Sequence, residues 1–244
     1  MNATKRVVIN QSNYIPWKGY FDLIHDADLF IFYDDVQFTT RDWRNRNLIK
    51  GQAGPQWLTV PVGADRNRLI QDVTIDTDAW QAKHWRTLKH VYGKARCFEQ
   101  YRPFLEHVYL ERRWQRLSEL NRFMTSTIAR DFLGIATQFA DSSQIPAAGH
   151  GQERILSLLA AVSATTYISG PAGQAYLDPE QFRERGIALV WKNYQGYPAY
   201  SQEFPPFEHA VSILDLLFRV GPDAPRYIWG WRDAAAEADR VRRA

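Results

Sequence analysis

The first 35 residues contain a strand, a loop, a helix and a second strand, and this order constrains the fold more than any other feature. Residues 6–10 (RVVIN) and 29–35 (LFIFYDD) are short apolar runs typical of buried strands, and residues 18–26 between them are predicted to be helical. A unit of this kind joins parallel strands, because its crossover returns the chain to the same end of the sheet. The sequence therefore predicts an α/β fold.

The loop that follows the first strand carries side chains that a solvent turn does not need. Residues 11–20 read QSNYIPWKGY, and Asp34 and Asp35 close the second strand. Parallel sheets of this class bind ligands at the carboxyl ends of their strands, where both segments lie. We expect the loop to hold a ligand, with Pro16 stiffening it and Gly19 allowing close backbone approach.

The rest of the chain is predicted to continue this core around a hairpin and an insertion. Residues 44–50 and 56–62 flank a Gly/Pro turn and predict a β-hairpin, with 71–76 as a candidate third strand. Further strands are predicted at 136–141, 166–169 and 187–194, and helices at 79–92, 103–133 (in one or two pieces), 151–163, 179–185 and 209–220. Ser118 is the predicted cap of the second piece of 103–133, and Gly134 its stop. We predict one α/β domain over residues 1–232, with a helical insertion at about 79–133, and an exposed tail at 233–244.

Composition places the protein in the cytoplasm, or in the host cytoplasm if its source is a virus. The single cysteine, Cys97, excludes an intrachain disulfide framework and fits a reducing compartment. The N-terminus lacks the apolar region of a signal peptide, and no apolar stretch reaches the roughly 18 residues of a transmembrane helix, so we expect no membrane insertion. The net charge of +3 permits a phosphate-bearing partner without requiring nucleic acid.

Several common enzyme classes have no support in the sequence. The chain contains no GxGxxG, GxxxxGK[ST], HExxH, CxxC or GxSxG motif, and its six histidines lack metal-ligand spacing. Dehydrogenases of the nicotinamide type, P-loop NTPases, zinc proteases and α/β-hydrolases are therefore not indicated.

Four separated segments resemble one known family. They are residues 10–50 (NQSNYIPWKGYFDLIHDADLFIFYDDVQFTTRDWRNRNLIK), 56–62 (QWLTVPV), 167–178 (YISGPAGQAYLD) and 209–221 (HAVSILDLLFRVG). Their content and order closely resemble the WbqC-like protein family, and the resemblance spans about residues 6–222.

The resemblance implies transfer of a small group, such as an amino acid of the glycine type, onto an activated sugar or nucleotide. The family is named from O-antigen gene clusters and also occurs among natural-product and phage DNA-modification genes. Its first βα unit is similar to the nucleotidyltransferase fold, so we expect a Rossmann-like parallel-sheet core. Trp17 and Tyr20 stand where that superfamily would use histidine, which argues against nucleotidyl transfer but not against nucleotide binding.

An acceptor with phosphates requires fixed positive charge, which clustered basic residues could supply. Alternate residues of a strand share a face, so Arg44, Arg46 and Lys50 are expected to converge; an exposed hairpin face is the structural alternative. The candidate phosphate- or DNA-binding residues are Arg41, Arg44, Arg46, Lys50, Lys83, Arg86 and Lys89.

A base or sugar requires a flat apolar platform and polar groups at its edge. Tyr14 and Trp17 are the favoured platform residues, although each aromatic residue taken alone is more often part of the core. Ser169 and Gly170 follow a predicted strand and could present backbone N–H groups, unless they form a plain turn. The candidate substrate-binding residues are Gln11, Tyr14, Trp17, Gly19, Tyr20, Gln37, Trp43, Ser169, Gly170 and Gln202.

Asp34, Asp35 and His209 are the candidate catalytic residues. Either carboxylate could act as a base or bind Mg²⁺, the one cofactor considered, while Asp35 could instead cap a turn. His209 is predicted at the start of a helix, where a cap or surface role competes with that of a base. Asp215 lies in the same apolar helix and needs a partner if it is buried.

Three functions remain open from the sequence. The first is attachment of a free amino acid to a pyrophosphorylated 5-hydroxymethyl pyrimidine in DNA, as in phage-type hypermodification. The second is amino-acid or acyl transfer to a nucleotide-activated sugar in O-antigen or surface-glycan biosynthesis. The third is a non-catalytic accessory protein that binds nucleotides or nucleic acid.

Overall fold

A five-stranded parallel sheet forms the centre of the structure, a computed structural model that describes residues 4–232. Its strands are β1 (Arg6–Asn10), β2 (Leu29–Phe32), β5 (Gln138–Asp141), β6 (Thr166–Ser169) and β7 (Ala188–Trp191). They run in the order β5-β2-β1-β6-β7 and are all parallel to their neighbours. Strands β3 (Arg46–Gly51) and β4 (Gly54–Thr59) pair in a separate antiparallel hairpin. The predicted α/β class, with a parallel-sheet core, a hairpin and helices, is confirmed.

Seven α-helices surround these strands within the described part of the chain. They are α1 (Lys18–His25), α2 (Ala79–Tyr92), α3 (Phe98–Glu106), α4 (Leu117–Thr127), α5 (Gly151–Ala161), α6 (Pro179–Glu184) and α7 (Ile213–Val220). Helices α3 and α4 each continue into a π-helical turn, at His107–Glu111 and Ile128–Phe132. The predicted helical insertion therefore corresponds to α2, α3 and α4. None of these helices is both long and apolar enough to cross a membrane.

The sheet separates two apolar cores because alternate strand residues point to opposite faces. Val8 and Phe30 pack in the larger core with residues of α1, α2, α3, α4 and α7. Val7 and Ile31 pack in the smaller core with residues of α5 and α6. Burial on both faces explains why β1 and β2 read as continuous apolar runs.

Several predicted boundaries are wrong for local reasons. Residues 71–76 form no strand of the hairpin, since Ile70–Asp72 is a 3₁₀ turn and Thr74 makes only an isolated bridge to Arg116. Ser118 lies inside α4, whose N-cap residue is Arg116. Gly134 does end the helical segment, with a φ of 65° that favours glycine. The predicted tail at 233–244 lies outside the described residues.

Candidate functional site

The sheet order reverses at the junction of β1 and β6. The chain moves from β1 through β2 to β5 on one side and then returns to place β6 on the other side of β1. Such a reversal leaves a crevice at the carboxyl ends of the two strands, where open α/β sheets bind ligands. Gln11 follows β1 at this crevice, Ser169 ends β6 and Gly170 follows it, so the fold brings these three predicted site residues to one edge.

Tyr194 lies beside Gly170 at this edge of the sheet and was not predicted from the sequence. Its hydroxyl oxygen would lie 3.6 Å from a Cβ placed on Gly170, and its ring meets that of Trp17 edge-on at 5.2 Å. Burial raises the pKa of the Tyr194 phenol, which therefore stays protonated at neutral pH and can donate a hydrogen bond. Because Tyr194 follows β7 at the same edge of the sheet, its position in the sequence could have indicated that it belongs to the site.

Arg44 joins the loop after β1 to the segment that precedes the hairpin. Its guanidinium donates hydrogen bonds to Oε1 of Gln11 and Oδ1 of Asn13. The side chain is 13% exposed, and its guanidinium also lies 3.7 Å from a carboxylate oxygen of Asp42. Arg44 therefore holds Gln11 and Asn13 in place at the start of the loop.

The predicted convergence of Arg44, Arg46 and Lys50 is wrong. Strand β3 begins at Arg46, so Arg44 is not part of it and turns inward to Gln11. Lys50 is buried, and its ammonium donates to the carbonyl of Pro206, which removes it from the candidate phosphate-binding surface.

Asp34 and Asp35 are held in ion pairs and do not stand free as bases or metal ligands. The fully buried Asp34 accepts hydrogen bonds of 2.8 Å from the backbone of Ser12 and from Nε of Arg122. Burial raises the pKa of the Asp34 carboxyl above its ordinary value, although Arg122 opposes the rise. Asp35 pairs with Arg154 and accepts from Ser142. The two carboxylates do point to different partners, as expected for neighbours at a strand end, but both have structural roles.

A cleft of about 290 Å³ lies beside the loop 11–20. Its lining residues are Asn13, Pro16, Trp17, Trp43, Asn47 and Ala210. Trp17 and Trp43, both candidate substrate-binding residues, thus share one cleft. Trp43 is 43% exposed and also lies 5.4 Å from the exposed Trp57 of β4, measured between ring centroids.

Tyr14 and Tyr20 belong to the core and cannot stack on a ligand. Tyr14 is fully buried, and its hydroxyl is 2.8 Å from Nδ1 of His84 and 2.6 Å from the hydroxyl of Tyr109. Tyr20 is also buried and donates a hydrogen bond of 2.8 Å to the carbonyl of Gln11. Both residues support the loop from the core side, because their hydroxyls form hydrogen bonds inside the protein.

Gly19 leaves space for the Trp17 ring and does not contact the cleft. A Cβ at position 19 would lie 2.2 Å from Cζ2 of Trp17, so any other residue would displace the indole. The prediction that Gly19 admits a ligand is therefore corrected: its missing side chain makes room for the ring that lines the cleft.

The remaining basic candidates lie on the outer surface of the hairpin and α2. Arg41 and Arg46 line a pocket of about 260 Å³ together with Arg66, which was not predicted, and its lining contains no carboxylate. The guanidinium of Arg46 also lies 4.2 Å from the ring centroid of Trp57. Lys83, Arg86 and Lys89 are exposed on α2. Lys83 and Trp57 line a common groove, so the basic stripe of α2 continues the surface of the hairpin.

The predicted residues of the C-terminal segment divide into structural and accessible groups. Gln202 donates to Oδ1 of Asp215 at 2.9 Å, and Asp215 also accepts from Tyr92 and Tyr200, which gives the buried carboxylate the partners it needs. This network makes Gln202 a structural residue. His209 is exposed and precedes α7, whose N-cap is Ser212, so it is not a helix cap.

Gln37 lies apart from these groups. It is exposed and donates to the carbonyl of Arg66 at 3.4 Å. The residues of its shallow pocket are Asn67, Arg68, Leu69 and Asp72, none of which lines the cleft. The prediction that Gln37 binds the same ligand as Gln11 has no geometric support.

One group of side chains has the spacing of a metal site. Asp22, His25 and Asp26 bring potential ligand atoms within 4.8 Å of one another. Lys192 lies 2.8 Å from Asp22, and Arg232 also pairs with that carboxylate. Two cations already neutralise the acidic group, so its chemistry is that of an ion-pair cluster.

Comparison with known sequences identifies the family. The sequence model of the WbqC-like protein family matches residues 11–227, a span that holds the crevice and the cleft. The chain belongs to the WbqC-like protein family. A similar protein, the uncharacterized protein Rv1507c of Mycobacterium tuberculosis, is 46% identical over 226 residues, which cover 92% of this WbqC-like chain and 97% of that protein. No solved structure gives a significant match.

Proposed function

We propose that this protein is a group transferase that joins a free amino acid to a pyrophosphorylated 5-hydroxymethyl pyrimidine in DNA. The observation that supports this most is the continuity of an aromatic cleft with a basic surface. Trp43 borders both the cleft and Trp57, and Trp57 borders the groove of Lys83. A pyrimidine flipped out of the duplex would enter the cleft while the flanking phosphates lie along the hairpin and α2.

The cleft suits one base and little more. Its volume of about 290 Å³ is at the lower end of the range for small-molecule sites. The Trp17 and Trp43 side chains supply flat surfaces for stacking, which is tolerant of sequence, while the side chain of Asn13 supplies a polar edge. Base stacking on such residues contributes roughly 1–3 kcal/mol per base.

The reaction requires a nucleophilic amine and a stabilised leaving group. The nitrogen of the amino acid attacks the methylene carbon, the carbon–oxygen bond to pyrophosphate breaks, and pyrophosphate departs with the electron pair. The proton lost by the amine passes to a base of the protein. Fixed guanidinium groups, with Arg44 beside Gln11 and Arg41 beside Arg46, would stabilise the negative charge that develops on the leaving oxygens.

A second candidate, group transfer to a nucleotide-activated sugar, is favoured by the pocket of Arg41, Arg46 and Arg66. This pocket offers three guanidinium groups for one diphosphate and uses nothing from α2. In that case the stripe of Lys83, Arg86 and Lys89 would be dispensable. Mg²⁺ would neutralise phosphate charge on either acceptor, and Asp34 and Asp35 could hold it only after losing their arginine partners.

Titrations at two salt concentrations separate these candidates. Duplex DNA and a mixture of nucleotide-sugars are each titrated against the protein, its Arg46→Ala and Lys83→Ala variants, and Arg183→Ala as a charge-matched control on α6. For a DNA acceptor, affinity for DNA falls steeply with salt, and each hairpin or α2 variant lowers the salt slope by about 1 while the control does not.

Two other outcomes would reject the DNA acceptor. Binding of nucleotide-sugars alone, lost in Arg46→Ala and retained in Lys83→Ala, would assign the protein to glycan chemistry. The protein could also bind DNA in a salt-dependent way and yet incorporate no labelled glycine into DNA that carries the pyrophosphorylated base. That result would identify it as a non-catalytic binding protein.

A further inference from the structure

Trp57 presents a large aromatic side chain to solvent from a firmly anchored strand. It is 44% exposed, whereas the next residue, Leu58, is buried in the larger core. Strand β4 pairs with β3 along its whole length, from Arg46 opposite Thr59 to the turn. Together with Trp43, which is also exposed and 5.4 Å away, Trp57 forms a contiguous apolar patch of the kind that marks an interaction surface.

Arg46 supports the Trp57 indole from the neighbouring strand. Because Arg46 pairs with Thr59, it is the diagonal neighbour of Trp57 across the hairpin. Its guanidinium lies over the indole, 4.2 Å from the ring centroid, and donates a hydrogen bond to the carbonyl of Arg41. This cation–π contact covers one face of the ring and fixes its orientation.

Trp57 has a different position from the two tryptophans of the cleft. Trp17 and Trp43 line the cleft, whereas Trp57 does not. A ligand base held in the cleft would therefore stack on the first two indoles and leave Trp57 free. Of the tryptophans in residues 4–232, Trp43 and Trp57 are the exposed ones, so Trp57 is the exposed indole that the cleft does not use.

Trp57 stands between the cleft and a groove along α2. On one side its ring meets that of Trp43, which lines the cleft. On the other side it lines a groove of about 580 Å³ together with Lys83, and the lining of this groove contains no carboxylate. The charge of Arg46 and Lys83 on either side of the indole is complementary to a polyanion.

A base that leaves a duplex opens a gap in the stack, and proteins that distort DNA fill such gaps with an apolar side chain. We infer that Trp57 enters the duplex at the position that the target pyrimidine leaves and stacks on the flanking base pair, an inference that rests on the function proposed above. The extruded base lies in the cleft on the side of Trp43, and the sugar-phosphate backbone follows the groove of Lys83. Arg46 holds the indole upright and faces the backbone with its charge.

The first test compares duplex with single-stranded DNA, each carrying one pyrophosphorylated 5-hydroxymethyluracil. A single strand has no gap to fill, so Trp57→Ala should weaken binding of the duplex at least about 5-fold and leave the affinity for the single strand nearly unchanged. Trp57→Phe keeps a stacking ring and should restore most of the affinity for the duplex. Tyr176→Ala removes an exposed aromatic side chain that lines neither the cleft nor the groove, and should bind both DNAs like the unmodified protein.

Two results of this test would overturn the inference, and they can be told apart. Equal weakening of duplex and single strand by Trp57→Ala, or no weakening of either, would reject the insertion of Trp57 and leave the transferase proposal in place. Failure of the unmodified protein to bind either DNA would remove the DNA acceptor and with it this role.

The second test uses the unmodified protein and does not depend on the folding of a variant. On irradiation, 5-iodouracil forms a covalent bond with an aromatic side chain that it contacts. Placed in the base pair that flanks the pyrophosphorylated base, it should label Trp57, as read by peptide mass spectrometry; placed at the target position, it should label Trp17 or Trp43. Labelling of the cleft from the target position, without labelling of Trp57 from the flanking pair, would overturn the inference.

Discussion

Nε of Arg122 lies 2.8 Å from Oδ2 of Asp34 and thereby ties α4 to the carboxyl end of β2. The same guanidinium pairs with Asp141 at the end of β5. One arginine from the helical segment therefore spans the ends of two neighbouring strands. The carboxylates at this edge of the sheet hold the fold together on one side of the crevice, while Gln11, Gly170 and Tyr194 lie on the other.

Asp34→Asn should reduce stability before it affects chemistry. The substitution leaves Arg122 with Asp141 as its remaining carboxylate partner, and loss of one member of a buried pair costs about 3 kcal/mol. Urea unfolding measures the change in the free energy of unfolding. Asp72→Asn, in the exposed pair with Arg116, is the matched control, with an expected effect below about 1 kcal/mol. A stable Asp34→Asn protein without activity would contradict this prediction and indicate that Asp34 has a catalytic role.

Gly19→Ala should damage the cleft although alanine is the better helix former. In an exposed helix this change would stabilise by roughly 1 kcal/mol, but here the new Cβ would lie 2.2 Å from the Trp17 ring. The indole must move, so the near-ultraviolet circular dichroism should change and the affinity for mononucleotides should fall. Gly134→Ala, where a Cβ meets no atom within 4 Å but φ is 65°, should lower stability and leave nucleotide affinity unchanged. Unchanged spectra and affinity in Gly19→Ala would show that Trp17 does not form the cleft.

The sequence predicted which residues follow the strands better than which side chains face the cleft. Gln11 and Gly170 lie at the predicted strand ends, because any residue after a parallel strand comes to the same edge of the sheet. Tyr14 and Trp17 have the same aromatic character and sit three positions apart, yet one is core and the other lines the cleft. That difference depends on His84 and Tyr109, which are 70 and 95 residues away in the chain. No local pattern contains such partners.

The burial of Lys18 and the ion pair of Arg122 were missed for a related reason. Hydropathy places a lysine at the surface, so a buried lysine is visible only after the loop after β7 has packed over it. Arg122 acts on Asp34 across 88 positions of sequence. Both residues look like ordinary surface charges on amphipathic helices.

His84 should make stability fall between about pH 6.5 and pH 4. Burial lowers the pKa of His84 to about 4, whereas the unfolded chain titrates near 6.5. The unfolded state therefore binds more protons in this window, and the free energy of unfolding decreases as the pH falls, by up to ~3 kcal/mol. Urea unfolding at several pH values tests this, and His84→Gln, which does not titrate, should flatten that part of the profile. An NMR titration of His84 with a midpoint near 6.5 would contradict the prediction.

Lys18→Met should stabilise the protein at neutral pH, because burial disfavours the ammonium of Lys18, which has no ion pair within residues 4–232, more than its three aromatic contacts favour it. The pKa of Lys18 is about 8 in the folded state and 10.5 when unperturbed, so the unfolded chain holds its proton more tightly. Below pH 8 both states are charged and the full cost of about 2–3 kcal/mol is present; it decreases as the pH rises from 8 to 10.5, where the folded protein loses the proton first. The increase in the free energy of unfolding caused by Lys18→Met, measured by urea unfolding, should therefore be largest at pH 7 and vanish near pH 10.5.

Lys192→Met is the control. It breaks a buried pair with Asp22 and should lower the free energy of unfolding, by about 3 kcal/mol. A Lys18→Met protein as unstable as Lys192→Met would mean that Lys18 supports the fold, and it would contradict the prediction.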